Sequence, residues 1–158
     1  MGNDIEENLV QLWGKVGFIV NLSQMIEYNL SNILAFDEIL REFEDKESMT
    51  ILEFNDLTTK ANEWYKKLQS KPLGNILKRV KEVEFFSIDT IERIKAMCEE
   101  RNYVVHQLFK EDLKLKYLKT DPSYYFERLE NLIEEMYSIN NDLSDILEKQ
   151  KNEYKLIY

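Results

Sequence analysis

The first forty residues constrain the fold more than any other stretch. Ile5, Leu9, Leu12, Val16, Ile19, Ser23, Ile26, Leu30, Ile33, Asp37 and Leu40 recur at alternating spacings of four and three. Only Ser23 and Asp37 interrupt the apolar series. Such a period belongs to a helix that buries one stripe, and a seam this long requires a partner helix at a shallow angle. Unbroken, it spans on the order of 50 Å at 1.5 Å per residue. Gly14 and Gly17 permit close helix approach or a kink. A matching seam stands near the end of the chain: Phe126, Leu129, Ile133, Met136, Asn140, Leu143 and Leu147, with Asn140 as its polar interruption. A lone polar residue in a seam can fix register or oligomeric state.

Between the two seams the signals are again helical. Glu44 to Ser48 is charged and reads as a turn. T-I-L-E at Thr50 to Glu53 has the form of a capping box. It opens a helix whose apolar face is Phe54, Leu57, Ala61, Trp64, Tyr65 and Leu68. Ser70-Lys71-Pro72 ends it, and Pro72 suits the first turn of a short third helix. That helix turns Leu73, Ile76, Leu77 and Val80 inward and Lys78, Arg79 and Lys81 outward. The central helix is predicted over Ser87 to Lys110, with Ser87 as cap and Asp89 in the first turn. Asp121-Pro122 starts the last helix. No strand pattern or repeat is present, so the expected architecture is an all-α, up-and-down bundle of four to five helices forming one domain over residues 1–158.

Composition narrows the function. The net charge of −9 argues against general nucleic-acid affinity, which depends on cationic side chains neutralising phosphates. The charge is uneven, however. Lys60, Lys66, Lys67, Lys71, Lys78, Arg79 and Lys81 face only Asp56 and Glu63 between residues 56 and 81. Lys110, Lys114, Lys116 and Lys119 form a weaker second group. Either group serves as a solvated face or as a phosphate-binding one. No apolar run approaches the roughly 20 residues of a membrane span, and the acidic N-terminus lacks the features of a signal peptide. Cys98 is the only cysteine and lies on an apolar stripe, which suggests a small core residue. A cytoplasmic protein with no membrane partner is expected.

The central helix holds the chemistry. Its stripe is Ile91, Ile94, Met97, Cys98, Val104, Val105, Leu108 and Phe109, and Arg101 falls in the middle of it. A permanent charge there must find a partner or point into a cavity. Five residues on stands His106, the only histidine, with Asn102 one helical turn before it. Arg101 and His106 are separated by roughly 140° around the helix. A long Arg side chain closes such a gap, or a second copy of the helix supplies the missing partner.

The stretch E-R-N-Y-V-V-H-Q-L-F resembles the signature of the HEPN superfamily, the higher eukaryotes and prokaryotes nucleotide-binding domains. That signature is an Arg, four to six residues, then a His, often with a polar residue directly after the Arg; Arg101, Asn102 and His106 match it. P-L-G-N-I-L-K-R-V-K-E, ahead of it, also looks like small bacterial members of the group. The resemblance implies a dimeric, metal-independent endoribonuclease with two copies of the motif at the subunit interface, of the kind found as bacterial toxins or phage-defence effectors. It implies RNA rather than DNA as substrate, no cofactor, and an antitoxin protein as a further partner. Arg101, Asn102 and His106 would be catalytic, with Lys78, Arg79, Lys81 and Lys110 as RNA-binding candidates.

The residue types suit that chemistry. The 2′-hydroxyl of RNA attacks the adjacent phosphate if one group removes its proton and another protonates the leaving 5′-oxygen. A histidine performs either task near neutral pH, and two-fold symmetry supplies the second. Arg101 would offset phosphate charge, and Asn102 would orient the imidazole or the phosphate. In the toxin branch regulated by nucleotidyltransferases a Tyr follows two residues after the His; Leu108 stands there instead, so that regulation is not implied.

Other chemistries lack their residues. One His and one Cys make no zinc site, and no Gly-rich phosphate loop is present. Adjacent carboxylates such as Glu99/Glu100 and Glu134/Glu135 diverge on a helix and read as solvated faces. Tyr103, Tyr124 and Tyr125 suit packing before base stacking. The contrasting expectation is a non-catalytic helical interaction or nucleotide-binding module, for which Arg101 is an internal ion-pair partner and His106 an ordinary partly buried histidine.

Overall fold

In the computed structural model, residues 2–44, 50–110 and 122–156 are described. They form five helices: α1 (Gly2–Phe43), α2 (Ile51–Gln69), α3 (Leu73–Val80), α4 (Ile88–His106) and α5 (Pro122–Leu156). The long first and last helices pack together, and this pair is the spine of the molecule. Lys15 pairs with Glu130 at 2.9 Å, Asn29 with Asn140 at 2.8 Å, and Gln150 donates to the Ile33 carbonyl at 3.0 Å. Contacts that advance together along both chains make α1 and α5 parallel. α4 runs the opposite way, since Arg93 meets Glu135 and Asp142 while Glu100 meets Arg128.

The middle of the α1 seam buries as its spacing requires: Leu12, Ile19, Ile26, Leu30 and Ile33 are at most 1 % exposed, with Leu22 buried beside them, while Ile5, Leu9, Val16 and Leu40 are only partly buried. α1 is a single continuous helix of 42 residues, about 60 Å long, with no break at Gly14 or Gly17. Neither glycine packs closely against another element, because a Cβ placed on either would meet nothing within 4 Å.

The α5 seam differs from the sequence reading on one flank. Leu129, Met136 and Leu143 are buried as expected, but Tyr125, Leu132, Ile139 and Ile146 are the deep residues beside them. Phe126, Ile133 and Leu147 are only partly buried. The reason is that α5 packs against both α1 and α4, so its apolar stripe is wider than one seam. Asn140 is satisfied within the chain by Asn29, where it fixes the register of α5 on α1.

The caps follow from local chemistry. The Glu53 amide donates to Thr50 Oγ1 at 3.3 Å, and the Thr50 amide donates to Glu53 Oε2 at 2.9 Å, completing the capping box. The Thr90 amide donates to Ser87 Oγ at 3.1 Å. Pro72 is the N-cap of α3 rather than its first helical residue. The turn predicted over Glu44 to Ser48 and the Asp121 cap lie largely or wholly outside the described residues, as do Lys114, Lys116 and Lys119.

Asp37, the second interruption of the α1 seam, pairs with Arg41 at 2.9 Å. Burial pushes its carboxyl above the usual 3.8, Glu38 and Glu44 push the same way, and Arg41 opposes them. A raised carboxyl stabilises the fold below its ordinary value and loses that contribution as pH rises through the folded one. Asp37→Asn, which mimics the neutral acid, is therefore expected to raise the melting temperature at pH 7. The gain should shrink as pH falls toward 4, as read by thermal melts across that range.

Candidate functional site

Arg101 finds its partners on α1. Its Nε donates to Ser23 Oγ at 3.3 Å, and its Nη2 stands 3.9 Å from Glu27 Oε1. Ser23 is fully buried and also donates to the Ile19 carbonyl at 2.8 Å. The polar interruption of the α1 seam and the charged interruption of the α4 stripe thus meet each other. The ion pair is long and both side chains keep a quarter or so of their exposure, so it binds α4 to α1 only weakly.

The rest of the Arg101 guanidinium turns to its own helix. Nη1 donates to Asn102 Oδ1 at 3.0 Å. This orients the Asn102 amide, which lies one helical turn before His106 and on the same side of α4. Asn102 therefore lies between Arg101 and His106 around α4 and is hydrogen-bonded to Arg101 alone of the two. His106 is exposed, and its side chain makes no hydrogen bond to the described residues. It is the last residue of α4.

That position corrects the expected helix end. α4 stops at His106 instead of reaching Lys110, after the β-branched pair Val104-Val105. The Gln107 and Leu108 amides both donate to the Tyr103 carbonyl, at 2.9 and 3.1 Å. The apolar periodicity runs past the helix end because Leu108 is still buried and Phe109 still packs on the core from the turn. His106 stands at the edge of this turn, open to a ligand or to another chain.

Cys98, one turn before Arg101, is a core residue. Burial pushes its thiol up to about 11 against the pull of Arg101, so at neutral pH it is a protonated, unreactive group.

The basic residues separate into two kinds. Lys78, Lys81 and Lys110 are exposed. Arg79 is half-buried, with its guanidinium 3.8 Å from the Trp64 ring, and Lys67 lies 5.7 Å from the same ring. Arg79 thus packs α3 on α2 as a cation–π partner. None of these four RNA-binding candidates bonds to Arg101, Asn102 or His106 among the described residues.

Two arginine clusters on the α4/α5 boundary escaped the sequence reading. Arg93 donates to Glu135 at 2.8 Å, Asp142 at 2.7 Å and Ser138 at 2.8 Å. Arg128 makes a two-pronged pair with Glu100 and covers the Tyr103 ring at 4.1 Å. Both guanidiniums are pushed above their ordinary value, chiefly by these carboxylate hydrogen bonds. Glu100 is therefore a structural partner rather than a solvated carboxylate. Nothing local marks such pairs, whose members are 28 to 49 residues apart. Tyr125 is buried and meets Tyr124 edge-on, which assigns it to packing; Tyr124 remains 55 % exposed.

Among the described residues no group of three His, Cys, Asp or Glu could hold a metal ion, and no helix is long and apolar enough to cross a membrane. Comparison with family models, curated proteins and solved structures finds no match to this chain. Fold and site together define an all-α, five-helix protein with one exposed histidine at the end of its fourth helix.

Proposed function

We propose that this chain is a metal-independent endoribonuclease that acts as a homodimer, in the role of a toxin or phage-defence effector. The observation that supports the reading best is the Arg101–Asn102 hydrogen bond beside an exposed His106. It ties a permanent cation on the α1 side of α4 to an exposed amide that lies one helical turn before His106. In the reaction the 2′-oxygen bonds to phosphorus and the bond from phosphorus to the 5′-oxygen breaks. One His106 accepts the 2′-hydroxyl proton, the second copy's His106 protonates the leaving oxygen, and Arg101 faces the negative phosphate. The products are a 2′,3′-cyclic phosphate and a 5′-hydroxyl.

The second reading is a helical interaction module. It is favoured by the tie of Arg101 to Ser23 and Glu27, which gives that residue a structural task without RNA. Incubating the purified chain with end-labelled total RNA or tRNA in EDTA decides between them. The ribonuclease is expected to yield fragments with cyclic phosphate ends; intact RNA at stoichiometric protein sinks that reading.

A further inference from the structure

α1 carries a second, uncharged face opposite the seam, flanked by Trp13 and Phe18. Positions 10, 14, 17, 21, 25, 28, 32, 36 and 39 recur at helical spacing and share one face. Its C-terminal half faces α2: Tyr28, itself 54 % exposed, meets Tyr65 edge-on at 5.9 Å, and Asn32, Phe36 and Ile39 line a cleft with Phe54, Thr58 and Ala61. Its N-terminal half is exposed among the described residues, apart from Phe18, whose ring meets Tyr137 of α5 at 5.8 Å. Val10 is 61 % exposed, Trp13 56 %, Phe18 41 % and Met25 45 %, with Gly14 and Gly17 exposed between them.

This open half is unusual in its charge. The chain is 32 % charged, yet residues 8–26 contain only Lys15, which turns aside to Glu130. No helix of the described residues is long and apolar enough to cross a membrane.

We propose that this face is a two-fold seam where α1 of one chain crosses α1 of a second copy at Gly14 and Gly17. Three observations favour a second copy. First, the glycines leave open space above the backbone, which lets two helices approach closely at their crossing. Second, the exposed parts of Val10, Trp13, Phe18, Met25 and the adjoining Tyr137 amount to on the order of 500 Å². That is at the top of the range a monomer leaves open, and with Gln11, Asn21 and Gln24 it nears the roughly 800 Å² each partner of a stable interface contributes. Third, two copies of a chain with net charge −9 repel each other, and this uncharged strip lets them meet without juxtaposing like charges. The seam lies on the side of α1 opposite Ser23, the partner of Arg101, so it is separate from the His106 pairing that the proposed cleavage invokes. It rests on the face itself, and a dimer indifferent to Gly17→Glu would sink it while leaving the ribonuclease reading standing.

Gly17→Glu is the discriminating variant. A Cβ at position 17 meets nothing within 4 Å in a single chain, so the exposed helix accepts the side chain, which sets a charge and extra bulk at the crossing. Gly74→Glu is the control, since Gly74 is an equally open helical glycine on α3. Sedimentation velocity on the full chain, with circular dichroism to verify folding, is expected to give twice the 19.0 kDa chain mass for the wild type and Gly74→Glu. Gly17→Glu should weaken association at least tenfold while its helix content and melting temperature are kept. A wild type that stays monomeric at about 100 µM overturns the proposal, as does a dimer indifferent to Gly17→Glu.

Discussion

His106→Ala is expected to slow RNA cleavage by at least about 100-fold, the usual scale for removing a positioned proton-transfer group. The same change should leave stability within about 0.5 kcal/mol, because His106 is exposed and its side chain makes no hydrogen bond to the described residues. Arg101→Ala should cost cleavage about 100- to 1000-fold by removing charge stabilisation at the phosphate. It should also destabilise the fold by about 1 kcal/mol, since Ser23 and Glu27 lose their partner on α4. Arg101→Lys keeps the charge but loses the planar fork that reaches Ser23, Glu27 and Asn102 together. It should therefore recover stability better than activity. Cleavage assays in EDTA beside thermal melts separate these effects. Equal cleavage by wild type and His106→Ala would remove the histidine from the chemistry. A loss of stability in Arg101→Ala without any cleavage by the wild type would favour the interaction module.

The largest effect on folding should come from the α1 seam. Ile26 is fully buried among the helices that cover α1. Ile26→Ala removes three carbons from a site where rigid helices on several sides limit collapse into the space. The expected cost is about 2–5 kcal/mol, or a fall of about 5–15 °C in melting temperature for a domain of this size. Ile51→Ala is the natural contrast. Ile51 is 81 % exposed in the first turn of α2, and its truncation should change stability by less than about 0.5 kcal/mol. Urea unfolding of both variants reads the difference directly. Comparable losses at the two positions would mean that the α1 seam does not carry the core.

The sequence was most informative where physics is local. Helix period, the Thr50 and Ser87 caps and the break at Pro72 depend on residues within a few positions of one another. So did the oddity of Arg101, an arginine flanked by apolar residues at every helical neighbour on its stripe. The position of His106 at the helix end was not legible, because Leu108 and Phe109 keep the apolar spacing while packing from a turn. The wider α5 stripe was missed for a related reason: a heptad reading assumes one partner, and α5 has two.

Polar interruptions show the division most clearly. Ser23, Asn140 and Arg101 could be seen to need partners, since a polar group in an apolar stripe must be satisfied. Which partners they take could not be seen. Ser23 lies 78 residues from Arg101, and Asn29 lies 111 residues from Asn140. The sequence by itself determined the helices, their buried faces and the residues that break them, because those follow from spacing along one chain. Only the tertiary structure decided that α1 and α5 lie parallel, that Arg101 reaches Ser23 and Asn102 at once, and that α2 lies along just half of the second face of α1. Those outcomes depend on which helix lies beside which, and packing across the whole molecule settles that.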